Sequence, residues 1–328
     1  MKKNNYIGSV LFFKHLYLTI LALLIVVPMV IAISKSVSLS AARRELDDLK
    51  AEQSVFEPED LAVEQKSAPA DELSALEILD GQQIVAHGLG AVGGEAVLNC
   101  LEGFEENYAA GVRVFEVDLR MTSDGHVVLR HDWRGQLQDG VSETSIPTLE
   151  EFLSKPINGK YTPLSFRDLL LLMERYPDVC IVTDTKFVNE EEVTRQFGAM
   201  LSDAYETGLT YLFGRMVIQV YNTMMFTVVD SLHHFPYYIF TLYNSDFDGT
   251  KDGLRRKAEY CREHGIMGIT MSEAWWSSGH PDYLSAVDEY GICLYLHTVN
   301  GADEAKAYLA AGVSGIYTDT LLPADITQ

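Results

Sequence analysis

The chain has 328 residues, 47% of them hydrophobic, and a formal net charge of −22 from 25 Lys/Arg and 47 Asp/Glu. That length and apolar share suffice for a full core, as one large α/β domain or two smaller ones. The acidic balance excludes a nucleic-acid partner, whose phosphates need a basic footprint.

The charge is uneven along the chain. Residues 1–50 hold seven Lys/Arg against three Asp/Glu, net +4, and the remainder is net −26. After a short segment at 1–15, residues 16–34 (LYLTILALLIVVPMVIAIS) run for 19 positions without a charge. That suits a transmembrane helix crossing ~30 Å of hydrocarbon at ~1.5 Å per residue, and Pro28 is a kink that membrane helices tolerate. A cleaved signal peptide, cut after Ser38-Leu39-Ser40, is the competing reading. The run exceeds the usual ~7–15 apolar residues of such peptides, which favours an uncleaved single-pass anchor. Lysines flank both ends, so their count does not orient the span. A terminal span before a long acidic domain reads most simply with that domain extracytoplasmic. Residues 35–80, rich in Ala, Glu, Asp, Ser and Lys, read as a spacer, partly helical or disordered, reaching ~40 Å if fully flexible.

From residue 81 to 328 the texture is that of one α/β domain. Apolar runs at 83–88, 112–118, 179–186, 216–221, 237–242, 266–271, 292–298 and 314–319 alternate with helical stretches such as LEGFEENYAAG and GADEAKAYLAAG. Continuous apolar strands separated by helices imply a parallel sheet covered on both faces. Eight such units match a (β/α)8 TIM-type barrel, with HVVLRH (126–131) as a hairpin insertion after the second strand. Polar residues collect at the strand ends: His87, Glu116, Asp118, Asp184, Lys186, Gln219, Glu273, His297 and Asp319. A barrel gathers those ends around one mouth. No Gly-x-Gly-x-x-Gly follows a strand, and HGLGAVGG lacks the Lys-Ser/Thr of a P-loop.

Glu116 and Asp118 are two apart on a strand and so share a face. A paired carboxylate is costly unless a cation or a shared proton offsets the repulsion. Two explanations stand: a bound metal, or neutralisation by Arg113, Arg120 or Lys186. Cys100, Cys180, Cys261 and Cys293 show no metal spacing. Cys180 and Cys293 read as core, and Cys100 reads either as core or as a reactive thiol near the site. EAWW (273–276) and YNTMMF (221–226) read as packing residues, with contact to a lipid as the second reading.

The ordered set AHG, NCLEGF, FEVDL, TSDG, RHD, TDTK, HTVN and GVSGIYTD resembles the glycerophosphodiester phosphodiesterase family, within the phosphatidylinositol-phospholipase-C-like superfamily, over roughly residues 83–322. The resemblance implies a phosphodiester hydrolase in a barrel. It implies His87 and His131 as the general acid/base pair, and Glu116, Asp118 and Asp184 as ligands of one divalent cation, Ca²⁺ or Mg²⁺. Lys186, Asn99, Gln219, Glu273 and His297 would contact substrate. The implied partner is a small-molecule or lipid-head-group phosphodiester. The sequence departs from the family pattern at Gly88, where the family has Arg, and at Leu98, where it has Glu. Asp184 stands for a longer carboxylate, and His297 for a frequent Trp. Two further readings stay open: a phosphatidylinositol-specific phospholipase C-like enzyme, and a non-catalytic head-group-binding module at a membrane.

Overall fold

The computed structural model describes residues 63–134, 142, 144–279 and 282–327. The expected span at 16–34 lies outside these residues, as does His280. Among the described residues no helix is long and apolar enough to cross a membrane. Residues Val63–Gln328 form one compact unit.

Eight parallel strands close into a barrel: β1 (Ile84–Ala86), β2 (Val114–Met121), β4 (Cys180–Asp184), β5 (Met216–Val220), β6 (Tyr238–Thr241), β7 (Gly268–Ser272), β8 (Cys293–His297) and β9 (Gly315–Thr318). β1 closes the ring by pairing with both β9 and β2. The hairpin strand β3 (Val127–Leu129) runs antiparallel to the outer end of β2. Each apolar run of the sequence contains one barrel strand, so the (β/α)8 expectation holds for the described residues.

The strands are apolar throughout because both faces are covered. Phe115, Ile181, Ile218, Phe240, Ile269 and Leu294 point outward beneath the helices. Val85, Val114, Val182, Val217, Ile239, Tyr295 and Tyr317 point inward and fill the barrel. Gly315 is required by this filling: a Cβ there would lie 2.8 Å from the Tyr295 ring. Along each strand the inward positions turn from apolar to polar, as in Val114–Glu116–Asp118 and Val182–Asp184. The ladder then sets Asp118 level with Asp184, and Thr241 level with Thr270.

The opposite end, the floor, is closed by the stretch ahead of β1. Helix α1 (Ala75–Leu79) buries Ala75 and Ile78 against the barrel interior. Glu72 pairs there with the buried Arg215, which also donates to the carbonyls of Met173, Tyr176 and Val179. Farther back, the Lys66 N–H donates to the Gly208 carbonyl at 2.9 Å.

Candidate active site

Glu116, Asp118 and Asp184 meet at the mouth, all but inaccessible to solvent. Backbone and amide groups orient them. Glu116 accepts from the Gly88 N–H at 2.8 Å. The Asn99 side chain brackets Asp118, donating to its carboxylate at 2.8 Å and accepting from its N–H at 2.9 Å. Asn99 thus sits behind Asp118 and not in the cavity. Lys186 takes a left-handed backbone (φ 59°), which costs on the order of 1–3 kcal/mol for a non-glycine residue. Its ammonium contacts Asp184 and lies 2.8 Å from Asp118. Tyr243 donates to Asp184 at 3.1 Å and hydrogen-bonds Tyr221 at 2.7 Å.

Of the three cations weighed for neutralising the acidic pair, only Lys186 does so. Arg113 pairs with Asp178, and the Arg120 Nε donates to the His131 carbonyl. Burial, then the neighbouring Asp118, push Glu116 up to about 8. Burial opposes ionisation of Asp118 too, but Lys186, His131 and His87 together outweigh it and hold that carboxyl below its usual range. Burial raises Asp184. Lys186 and the neighbouring His87 are the cations that face the three buried carboxylates, and Glu116 stays protonated near pH 7.

Each candidate histidine is oriented by an aspartate. His87 Nδ1 lies 2.8 Å from Asp319, which also accepts from the Asn300 amide at 2.7 Å. His87 Nε2 faces Glu116 at 3.9 Å. Burial disfavours the His87 cation, but Glu116, the Asp319 hydrogen bond and Asp118 together lift it to about 9. The half-exposed His131 is held through Nδ1 by Asp132 at 3.0 Å. His87, Glu116 and Asp118 each present a ligand atom within 4.8 Å of the others, with Asp184 outside that group.

A cavity of about 510 Å³ opens over these groups, within the size range of small-molecule sites. His87, Glu116, His131, Asp184, Lys186, Gln219 and His297 line it. Glu273 is not brought there; it accepts from Tyr308 at 2.7 Å. Asp319, Asp132, Tyr243 and Tyr317 are site residues that the sequence reading did not assign. The dipeptide His131-Asp132 and the polar strand end at Asp319 were the available signals. Cys100 is not a reactive thiol: it is buried, its sulfur accepts from the Gly103 N–H, and burial pushes it up to about 11. The aromatic stretches pack inward, with Trp276, Met225 and Phe226 buried in the core.

Residues 91–322 match the model of the glycerophosphoryl diester phosphodiesterase family. The chain belongs to this family. It is therefore a phosphoric diester hydrolase by family, with His87 just ahead of the matched span. Three solved structures share the fold. A Silicibacter pomeroyi protein, provisionally assigned as a glycerophosphoryl diester phosphodiesterase, is 20% identical with a TM-score of 0.61, over 77% of this chain and 95% of that one. An Oleispira antarctica phosphodiesterase in complex with the product sn-glycerol-3-phosphate is 16% identical with a TM-score of 0.61, over 77% and 98%. A Parabacteroides distasonis glycerophosphodiester phosphodiesterase is 16% identical with a TM-score of 0.57, over 72% and 92%. In this phosphodiesterase the departure at Gly88 has a steric cause. Its φ is 55°, and a Cβ would lie 2.7 Å from the Val97 Cα, so the family's Arg has no room on this backbone.

Proposed function

We propose that this protein hydrolyses a glycerophosphodiester or a related phospholipid head group at the barrel mouth. His87 and His131 act as the acid/base pair, with one divalent cation, Ca²⁺ or Mg²⁺, at Glu116, Asp118 and Asp184. The observation that carries the reading is two aspartate-oriented histidines facing one cavity across a buried carboxylate cluster. The cluster supports a hard cation: its donors are carboxylate oxygens, and the burial and repulsion that raise Glu116 are what a bound cation would offset. When bound, the cation would stabilise negative charge on the phosphoryl oxygens.

The chain's own groups supply the proton steps. In its neutral form, a histidine whose Nδ1–H is held by aspartate presents a bare Nε2 to the cavity, and in its cationic form an N–H. One imidazole takes the proton from a hydroxyl adjacent to the phosphate, and that oxygen forms a bond to phosphorus. The bond to the departing alcohol breaks as the other, protonated imidazole donates to its oxygen. Water then opens the resulting cyclic diester with the two proton roles exchanged. Each transfer is worth ~10²–10⁴-fold. Lys186 holds Asp118 and Asp184 in place and adds positive charge beside the phosphate. The apolar run at 16–34 serves as a single-pass anchor with the barrel extracytoplasmic.

The test is release of phosphate-bearing product from a glycerophosphodiester panel by the full chain, with Ca²⁺, Mg²⁺ or chelator, beside His131→Ala. Turnover should need the metal and fall ~10²–10⁴-fold in the variant. Undiminished turnover in the variant sinks the mechanism. Membrane fractions should retain the protein after alkaline washing, and protease added to intact cells should reach the barrel.

A further inference from the structure

The two sides of the mouth are chemically unlike. Around β9, β1, β2 and β4 stand the carboxylates, His87 and Lys186. From β5 to β8 the inward residues lining the cavity are Gln219, Thr241, Thr270 and His297, none of which carries a carboxylate or an ammonium. Burial, then His87 and Lys186, hold His297 down to about 4, so its imidazole is neutral near pH 7.

Among the described residues, two buried atoms at this cavity have no protein partner: His297 Nε2 and the Tyr317 hydroxyl. Buried polar atoms are normally paired, by protein, water or ligand. Their rings lie 6.4 Å apart, centroid to centroid. A neutral imidazole nitrogen is a donor or an acceptor according to tautomer, and a phenol is both. Such a pair matches hydroxyl groups, which also donate and accept. The charge on the cavity points the same way. The charged groups that line it, Arg120, Arg134 and Lys186 with Glu116 and Asp184, all come from the β2–β4 side, and Glu273, the acidic residue at the end of β7, is turned onto Tyr308. A cationic head group on the β5–β8 side would find no carboxylate to receive it.

We propose that the variable alcohol of the diester is a neutral polyol, held where β8 meets β9 by hydrogen bonds to His297 Nε2 and the Tyr317 hydroxyl. This rests on the phosphodiesterase reading above. A site that pairs its buried polar groups with substrate hydroxyls rejects an alcohol lacking them, because those groups are then left unpaired.

The experiment compares kcat/KM for glycerophosphoinositol and glycerophosphocholine in the metal-loaded full chain, in Tyr317→Phe, and in His297→Phe and His297→Gln. The wild type should prefer the inositol diester. The preference should fall roughly tenfold in each Phe variant and return in part in His297→Gln, which keeps a donor and an acceptor. A wild-type preference for the choline diester overturns the proposal, as does a ratio that neither Phe variant changes. Calorimetric binding of inositol 1-phosphate and phosphocholine to the same proteins reads the subsite without chemistry. Selective binding of inositol 1-phosphate, lost in the Phe variants, supports the polyol subsite even if neither diester turns over, a result that would sink the hydrolase reading alone. Equal binding of the two phosphates overturns the subsite.

Discussion

The two ends of the barrel treat buried charge in opposite ways. At the floor, Arg215 is 1% exposed and all three of its nitrogens donate: Nε to Glu72, and the two terminal nitrogens to three backbone carbonyls. At the mouth, Glu116, Asp118 and Asp184 are as deeply buried but crowd around Lys186 and His87, which leaves Glu116 raised to about 8, and His297 Nε2 has no protein partner among the described residues. A satisfied buried charge stabilises and specifies the fold, while an undercompensated one waits for a ligand. The floor is built for stability and the mouth for chemistry.

Four changes test that division, taken from the largest effect to the smallest. His87→Ala should lower kcat ~10²–10⁴-fold in a protein that still melts cooperatively by calorimetry; failure to fold would place His87 on the structural side. Arg215→Ala should do the reverse. Removing one member of a buried pair costs ~3–5 kcal/mol, to be read as a lower urea midpoint, with kcat of the folded protein unchanged. Should kcat fall with stability, the two ends are not separable.

The third change is pH in the metal-free protein. Glu116 stands at about 8 in the fold against an ordinary 4.5, and His87 at about 9 against 6.5. In both cases the folded state holds more protons than the unfolded one across the interval. The stability contributed is therefore present below the unfolded values and lost as pH rises through the folded ones. Melting temperature in chelator should fall between pH 5 and 9, and saturating Ca²⁺ or Mg²⁺ should flatten the decline by binding only the native state. A flat profile in chelator would mean that the carboxylates are compensated without metal. Last, Glu273→Gln should cost ~1 kcal/mol through the Tyr308 hydrogen bond and leave kcat/KM within about twofold. A larger kinetic effect would return Glu273 to the substrate.

The barrel was legible in the sequence because its signal is local: eight apolar runs, all but that at 237–242 marked by a polar residue at or just past the end, with the hairpin after the second. Glu116 and Asp118 share a face by strand periodicity alone. Contacts that depend on closure were not legible. His87 and Asp319 are 232 residues apart and meet only because β9 returns to β1. The bend of Lys186 onto two carboxylates needs a left-handed backbone that no spacing announces. Asn99 and Glu273 show the same limit from the other side. Both belong near the mouth by position, yet one supports Asp118 from behind and the other turns to a neighbouring helix.

The docking of residues 63–80 across the floor has a mechanical consequence. Tension applied to the chain ahead of Val63 runs first through the Lys66–Gly208 bond and the Glu72–Arg215 pair. Gly208 receives this strap closely, since a Cβ there would come within 3.0 Å of the Glu64 carbonyl oxygen. The load path therefore ends at the face of the barrel farthest from His87 and His131. A pull on the chain ahead of Val63 would peel the strap before it could distort the spacing of the two imidazoles.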